Sequence, residues 1–182
     1  MANSRNKGNK NEREVAKLWN TWTGKEFTRI PSSGGLRWNR THNTTGDLIC
    51  ADEKHSRYFT FSIECKFHKE INFQHLILPN KSVKIIEFWN QAVEDSERAK
   101  RIPILFMRYN GMPANFHFVV LSEGYYNAIL SKRLPTHRLM KLYGMPEAAS
   151  DFVILASDDL FQLDYTELHK INKRWLKKTF TA

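Results

Sequence analysis

The sequence predicts one α/β domain in which helices flank a central mixed β-sheet. Three observations support this fold class. The chain has 182 residues, the size of one domain with a substantial core. Apolar residues recur at helical spacing in well-separated segments, and between them lie short runs rich in β-branched and aromatic residues. The hydrophobic fraction of 41% and charged fraction of 26% are ordinary for a globular protein, so residues 1–182 are expected to form one domain.

The first helix is expected over residues 9–22, after a polar segment, residues 1–8, that is expected to be mobile. Its apolar stripe consists of Val15, Leu18, Trp19 and Trp22. Gly24 ends this helix, and a short strand is predicted over residues 26–30. The polar, Gly-rich stretch that follows, residues 31–46, contains two arginines and a tryptophan, which is typical of a functional or disordered loop.

The remaining elements alternate between strand and helix patterns. In chain order they are a strand at 47–51, a turn at 52–57, a strand at 58–67, an irregular segment at 68–80, a helix at 82–100, strands at 102–109 and 116–121, a short helix at 125–131, a strand at 152–156 and a helix at 166–180. Asn110-Gly111 between two strand runs predicts a β-hairpin.

The charge of the chain indicates a polyanionic partner. The net charge is +9, and lysines and arginines cluster within residues 1–40 and 170–178. Nucleic acid is the usual partner of such a protein, although basic ends can also serve solubility alone. No apolar run is long enough to cross a bilayer, and the N-terminus lacks a secretory signal, so a cytoplasmic protein without membrane contact is expected. Cys50 and Cys65 are expected to be buried free thiols, and neither has zinc-site spacing.

The strand at 58–67 carries an unusual pair of charges. Glu64 and Lys66 are two residues apart, so their side chains project from the same face. A salt bridge on a solvated sheet face would explain the pair, and Asp47 upstream could be a turn former beside Gly46. If the strands pair as a meander, however, Asp47 and Glu64 converge beside Lys66. Two carboxylates with a backbone carbonyl suit Mg²⁺, and a lysine can neutralise charge on a phosphate under attack.

Asp47 followed by Glu64-Cys65-Lys66 resembles the PD-(D/E)XK nuclease signature, with Gly46 in place of the signature's proline. Five short motifs in order are similar to those of the archaeal and phage Holliday junction resolvases of the Hjc type. They are KGNKNEREV at 7–15, RIPSSG at 29–34, GDLI at 46–49, SIECK at 62–66 and NQA at 90–92. The resemblance covers residues 7 to about 109. It implies a restriction-endonuclease-like core, with residues 9–109 as the catalytic core and residues 110–182 as a C-terminal extension of the same domain.

The resemblance also implies roles for individual residues. The implied metal ligands are Asp47, Glu64, the backbone carbonyl of Cys65 and, as a further candidate, Glu12, with Mg²⁺ as the ion and Mn²⁺ able to substitute. The implied catalytic residues are Glu12, Ser33, Asp47, Glu64 and Lys66. The implied DNA-binding residues are Lys7, Arg13, Arg29, Ser33, Arg37 and Gln91. Helical spacing places Glu12 slightly nearer the apolar stripe than Glu14, although either glutamate could instead be a first-turn acid that complements the helix dipole.

The expected function is therefore Mg²⁺-dependent, structure-selective DNA cleavage. The resemblance implies an endodeoxyribonuclease that resolves four-way junctions in recombination or repair, by paired phosphodiester hydrolysis in a homodimer, in a prokaryotic or phage-infected cell. Two alternatives stay open. One is a PD-(D/E)XK nuclease that acts on duplex ends, flaps or foreign DNA. The other is a non-catalytic nucleic-acid-binding module in which the acidic residues are only structural.

Overall fold

The computed structural model describes residues 4–30, 45–78, 83–113 and 115–181. The helices are α1 (Ser4–Thr23), α2 (Glu53–Tyr58), α3 (Lys84–Ala99), α4 (Glu123–Tyr125), α5 (Ser157–Leu160) and α6 (Tyr165–Thr181). The strands are β1 (Phe27–Arg29), β2 (Leu48–Cys50), β3 (Phe61–His68), β4 (Ile102–Tyr109), β5 (Phe118–Ser122), β6 (Leu139–Leu142) and β7 (Phe152–Ala156). A 3₁₀ turn covers Phe73–Leu76, and a π-helical turn, Tyr126–Leu130, continues α4.

Five strands form the central sheet in the order β3-β4-β5-β7-β6. The β3–β4 pair is parallel, and the other neighbours are antiparallel, so the sheet is mixed. Strands β1 and β2 form a separate antiparallel pair. The predicted fold class, a single α/β domain with a mixed central sheet flanked by helices, is confirmed, and the arrangement is consistent with a restriction-endonuclease-like core.

The two faces of the sheet are covered by different helices. On one face, α1 and α6 pack around Trp19, which is fully buried among the aromatic rings of Phe59, Phe61 and Phe106. On the other face, α3 packs its apolar side, including Trp89, against β4. Because neighbouring residues of β3 face opposite sides, this strand contributes to both layers.

Three elements differ from those predicted. Helix α1 begins at Ser4, five residues before the expected start, so residues 4–8 of the segment expected to be mobile form its first turn. Lys7 is bonded to Asn110 at 3.4 Å, a tertiary contact that helps to fix this turn. The predicted turn at 52–57 is instead helix α2, whose start is capped by the Asp52 side chain. Strand β6 was not predicted, because the half-exposed residues of this edge strand show no alternating apolar pattern.

The strands do not pair as a meander. Strand β2 pairs with β1 rather than with β3, and β3 pairs in parallel with β4, which follows it through α3. The polar face of β3 is therefore turned towards α3 and is not a solvated sheet face: Ser62 and Glu64 are both buried. The hairpin predicted at Asn110-Gly111 is confirmed by the antiparallel pairing of β4 with β5.

None of the described helices is long and apolar enough to cross a membrane.

An ion pair with one buried partner joins α1 to the central sheet. The guanidinium of Arg108 on β4 donates to the Glu14 carboxylate at 2.5 Å and to the Met112 carbonyl at 2.8 Å. Arg108 is 7% exposed, so its charge depends on partners within the protein. The same guanidinium lies 4.9 Å from the centre of the Phe67 ring. Glu14 thus has a structural role, and it is well inside α1 rather than in its first turn.

Replacing Glu14, the partly buried partner of Arg108, should destabilise the fold. We expect Glu14→Gln to lower the free energy of unfolding by roughly 2–4 kcal/mol, because Arg108 loses its charged partner in a buried environment. Urea denaturation measures this change. Glu94→Gln is the matched control, since the Glu94–Arg98 pair on α3 is exposed and should contribute less than about 0.5 kcal/mol. Equal effects of the two substitutions would contradict the assignment.

Candidate active site

Asp47 is held against the free edge of β3 by backbone hydrogen bonds. Its N–H donates to the carbonyl of Ile63 at 2.7 Å, and its carboxylate accepts from the N–H of Cys65 at 2.8 Å. On its other side, the carbonyl of Asp47 accepts from Ile30 at 2.9 Å. The carboxylate is therefore placed by main-chain atoms, at a strand edge that no other strand covers in the described part of the chain.

Gly46 makes this close approach of the chain to β3 possible. Its φ is +80°, a backbone conformation that favours glycine. A Cβ atom at this position would lie 2.4 Å from the Ile63 carbonyl oxygen, far inside normal contact. The glycine that replaces the proline of the signature is thus a steric requirement of this site.

Glu64 and Lys66 form an ion pair beside Asp47, as their spacing predicted. The Lys66 Nζ lies 2.6 Å from Glu64 Oε1. The lysine also donates to Gln91 of α3 at 2.9 Å, and it lies 5.6 Å from the centre of the Phe88 ring. Glu64 is only 3% exposed, so this is not the solvated salt bridge that the strand pattern alone would suggest.

Glu12 approaches the same region from α1. Its carboxylate accepts from Arg29 at 2.7 Å, and the same guanidinium donates to the side-chain oxygen of Asn9 at 2.7 Å. Arg29 therefore ties α1 to β1 and orients Glu12. Because α1 starts at Ser4, Glu12 is not a first-turn acid, and the helix-dipole interpretation does not apply to it.

The electrostatics of the site are dominated by Asp47. Burial and the negative charge of Glu64 raise the pKa of Asp47 to about 7, and Glu12 adds to this effect. The Cys65 N–H and the Lys66 ammonium oppose the rise in pKa without cancelling it. Burial and the neighbouring negative charge thus disfavour the ionised form of Asp47.

The donor set fits a divalent cation. Asp47 and Glu64 supply carboxylate oxygens, the ligands that Mg²⁺ prefers, and a cation between them would offset the repulsion that raises the pKa of Asp47. In a β-strand the N–H and C=O of one residue point to the same side. The Cys65 carbonyl therefore points to the same free edge as the N–H that contacts Asp47. Among the described residues, no cluster of three or more acidic, His or Cys side chains could hold a metal, so an ion bound here would complete its coordination with this carbonyl and with water.

The Cys65 side chain is excluded as a ligand by its surroundings. Its thiol is buried in the core, and burial raises its pKa well above the usual range. A protonated thiol does not ligate a metal.

The structure brings some of the predicted residues together and separates others. Glu12, Arg29, Gln91 and the Asp47–Lys66 group are linked by the contacts above. Lys7 binds Asn110 and lies near Phe67, in the neighbourhood of the Glu14–Arg108 pair. Arg13 is exposed on α1. Ser33 and Arg37 lie outside the described residues.

Two polar contacts at the site were not predicted from the sequence. Asn9 supports Arg29, and the hydroxyls of Thr45 and Ser62 are 3.1 Å apart beside the Asp47 turn. Asn9 lies in the motif at 7–15 and Ser62 in the motif at 62–66, so membership of these motifs could have indicated that both residues are near the site. Thr45 directly precedes Gly46 and carried no signal of its own.

The sequence of the chain matches one family model over residues 3–177, which is nearly its whole length. That family is described as phage putative PDDEXK endonuclease. The chain belongs to this family. No curated protein matches the chain.

Membership of the PDDEXK endonuclease family confirms the superfamily that the Asp47 and Glu64-Cys65-Lys66 motifs predicted, and it indicates a nuclease and hydrolase with DNA as its substrate. The match extends well past residue 109, so the C-terminal strands and α6 belong to the family pattern too. The resemblance to junction resolvases had covered only the first part of the chain.

Substituting Gly46 should destabilise the protein more than substituting a matched glycine. We expect Gly46→Ala to lower the free energy of unfolding by about 3 kcal/mol or more, because the new Cβ collides with the Ile63 carbonyl. Gly24→Ala is the control: its φ is +65°, but its Cβ would meet open space, so about 1 kcal/mol is expected. Urea denaturation of both variants measures the difference, and a Gly46 effect no larger than that of Gly24 would refute the close approach.

The raised pKa of Asp47 predicts a pH-dependent stability in the absence of metal. Between pH 3.8 and about 7, the folded state binds a proton at Asp47 that the unfolded chain has lost, so this group reduces stability as pH rises. Asp47→Asn removes that loss. Its stability relative to the wild type should therefore improve by about 2.5 kcal/mol from pH 5 to pH 8.

Urea denaturation in EDTA at the two pH values measures this change. Asp158→Asn is the control, since Asp158 is exposed and should show the same difference from the wild type at both pH values. A pH-independent effect of Asp47→Asn would contradict the assignment.

Proposed function

We propose that this member of the PDDEXK endonuclease family is a metal-dependent DNA endonuclease, with its active site at the free edge of β3. The observation that carries the proposal is the meeting of Asp47 and buried Glu64 beside Lys66. A purely structural role does not explain an acid whose pKa burial and a second carboxylate raise to about 7, because that arrangement costs stability. Such a cost is typical of a catalytic site.

Asp47, Glu64 and the Cys65 carbonyl are the residues that would hold Mg²⁺, for which Mn²⁺ could substitute. When bound, the ion supplies Lewis-acid stabilisation of the charge that develops on the phosphate. The two carboxylates would supply the negative charge that holds the cation, and the backbone hydrogen bond from Cys65 fixes the position of the Asp47 oxygen. The resemblance also implies Glu12 as a ligand, but Glu12 does not cluster with Asp47 and Glu64 into a three-carboxylate site, so it would have to move towards the ion to bind it.

Lys66 is assigned to the reacting phosphate and water. An ammonium has three N–H donors, and Glu64 and Gln91 accept from two of them. The third donor can contact a phosphate oxygen or orient the attacking water. Hydrolysis forms a bond from the water oxygen to phosphorus, breaks one P–O bond and delivers a proton to the departing oxygen. Gln91 is a positioning residue that holds Lys66 in place.

For the substrate we propose branched DNA, with the four-way junction as the preferred form and a homodimer as the acting species. The resolvase-like motifs support this choice, since Glu12, Arg29, Asp47, Glu64, Lys66 and Gln91 are linked in one site. Two symmetric cuts require two active sites. A PDDEXK nuclease acting on duplex ends, flaps or foreign DNA is the second candidate, favoured by the phage endonuclease family, whose description names no junction.

The deciding experiment compares a labelled four-way junction, a flap and a linear duplex, each with Mg²⁺ or with EDTA. We expect paired symmetric nicks in the junction, none in EDTA, and a dimer by light scattering. Glu64→Gln should lower the cleavage rate about 100-fold or more, since it removes a charge from the metal and from Lys66. Glu167→Gln, an exposed substitution on α6, serves as the control and should cleave at the wild-type rate.

The other outcomes would each support a different function for this protein. Equal cutting of all three substrates would support the general nuclease and overturn junction selectivity. Binding without cutting, with Glu64→Gln indistinguishable from the wild type, would leave the non-catalytic binding module.

A further inference from the structure

A cavity of about 620 Å³ lies at the opposite end of β3 from His68. Its walls come from the end of α2, the segment leading into β3, the end of α3 and the middle of α6. The lining includes Tyr58, Thr60, Lys100, Arg101 and Lys173. Thr60 precedes Glu64 by four residues, so the cavity begins about 13 Å from the acidic pair along the strand. It is therefore separate from the candidate active site.

The cavity is cationic. Among the described lining residues, all the charged ones are basic: Arg57, Lys100, Arg101 and Lys173. Lys100 ends α3 in the left-handed conformation, with a φ of 53°, which places it at the cavity wall. Burial lowers the pKa of Arg101, so its charge is partly desolvated, and an anion nearby would offset that cost.

Two of these cations are held in place by contacts with the protein. Arg101 donates to the Ser56 carbonyl at 3.1 Å and lies 5.9 Å from the centre of the Phe59 ring. Lys173 lies over the Tyr58 ring at 4.8 Å. The basic lining is thus partly ordered before any ligand arrives, which lowers the entropic cost of binding.

Tyr58 gives the cavity an exposed aromatic surface. Its side chain is 61% exposed, although it is large and mostly apolar. A flat ring among cations matches the combination with which proteins bind single-stranded nucleic acid, where bases stack and the backbone is neutralised. Duplex DNA keeps its bases stacked internally, so it would not use this ring.

The basic surface continues from the cavity along α6. Lys170, Lys173, Arg174 and Lys177 are exposed and recur at spacings of three and four residues, so they form one stripe. The stripe extends over about 10 Å of helix. A nucleic-acid strand that enters the cavity can therefore continue beside further cations.

We infer that this cavity is a second DNA site, which binds a single-stranded segment through its phosphates while Tyr58 stacks on a base. The inference rests on the proposed function in taking DNA as the partner, but it does not depend on cleavage. In a branched or partly unpaired substrate, the site would hold one strand while another lies at the acidic pair.

The test is binding of fluorescently labelled single-stranded DNA to the Asp47→Asn protein in EDTA, measured by anisotropy. Adding Tyr58→Ala should weaken binding about 5- to 100-fold, and Tyr58→Phe should restore it because the ring remains. Tyr143→Ala is the matched control, since Tyr143 is 56% exposed on another surface, and it should change little.

The salt dependence supplies an independent measurement. Lys173→Gln should reduce the slope of log affinity against log salt by about 0.7, the value for one phosphate contact in a single strand. Lys132→Gln, an exposed lysine outside the cavity, should leave the slope unchanged. Circular dichroism confirms that each variant is folded.

The results separate this inference from the alternatives. Unchanged affinity in both Tyr58→Ala and Lys173→Gln would overturn it, as would an equal loss of duplex binding. Displacement of the DNA strand by inorganic phosphate or a mononucleotide at the same concentration as the DNA would instead identify a small-anion site. That result would also overturn the inference. If the wild type cleaves DNA but Tyr58→Ala does not weaken the binding of single-stranded DNA, only the second site is refuted. If Tyr58→Ala weakens that binding but the wild type does not cleave DNA, only the nuclease proposal is refuted.

Discussion

The candidate site depends on how one edge strand of the sheet is used. Strand β3 pairs with β4 on one side, and at its other edge the Ile63 carbonyl and Cys65 N–H bind Asp47 instead of another strand. These two bonds place a carboxylate from a distant part of the chain next to Glu64. The unpaired edge of a sheet normally has to be protected, and here it is the surface on which the acidic residues assemble.

The strand and helix periodicities predicted much of the fold. Strands β4 and β7 have the bounds that the sequence predicted, because buried strands bounded by turns leave a clear apolar pattern. The pairing of strands did not follow from local pattern. A meander is the simplest connection, but β3 finds its partner β4 only after α3, and this preference arises from packing on both faces of the sheet.

The placement of Glu64 beside Lys66 was predictable from the sequence, but the supporting contacts of the site were not. The alternation of β3 correctly put Glu64 and Lys66 on one face, and the structure turns this face towards α3 rather than solvent. Partners such as Asn9 for Arg29 and Glu14 for Arg108 join residues far apart in sequence. Only the folded chain brings them together, so spacing alone could not distinguish the roles of Glu12 and Glu14.

The use of main-chain atoms to hold Asp47 has an evolutionary consequence. Ile63 and Cys65 contact the acid through a carbonyl and an N–H, while both side chains lie in the core. Their identities are therefore constrained by volume and apolarity, and related chains can drift to other apolar residues there without moving the carboxylate. Gly46 cannot be replaced in the same way, because the Cβ atom of any other residue would collide with the backbone of β3. Among related chains, Gly46 should therefore be conserved more strictly than Ile63 and Cys65, whose main-chain atoms bind Asp47.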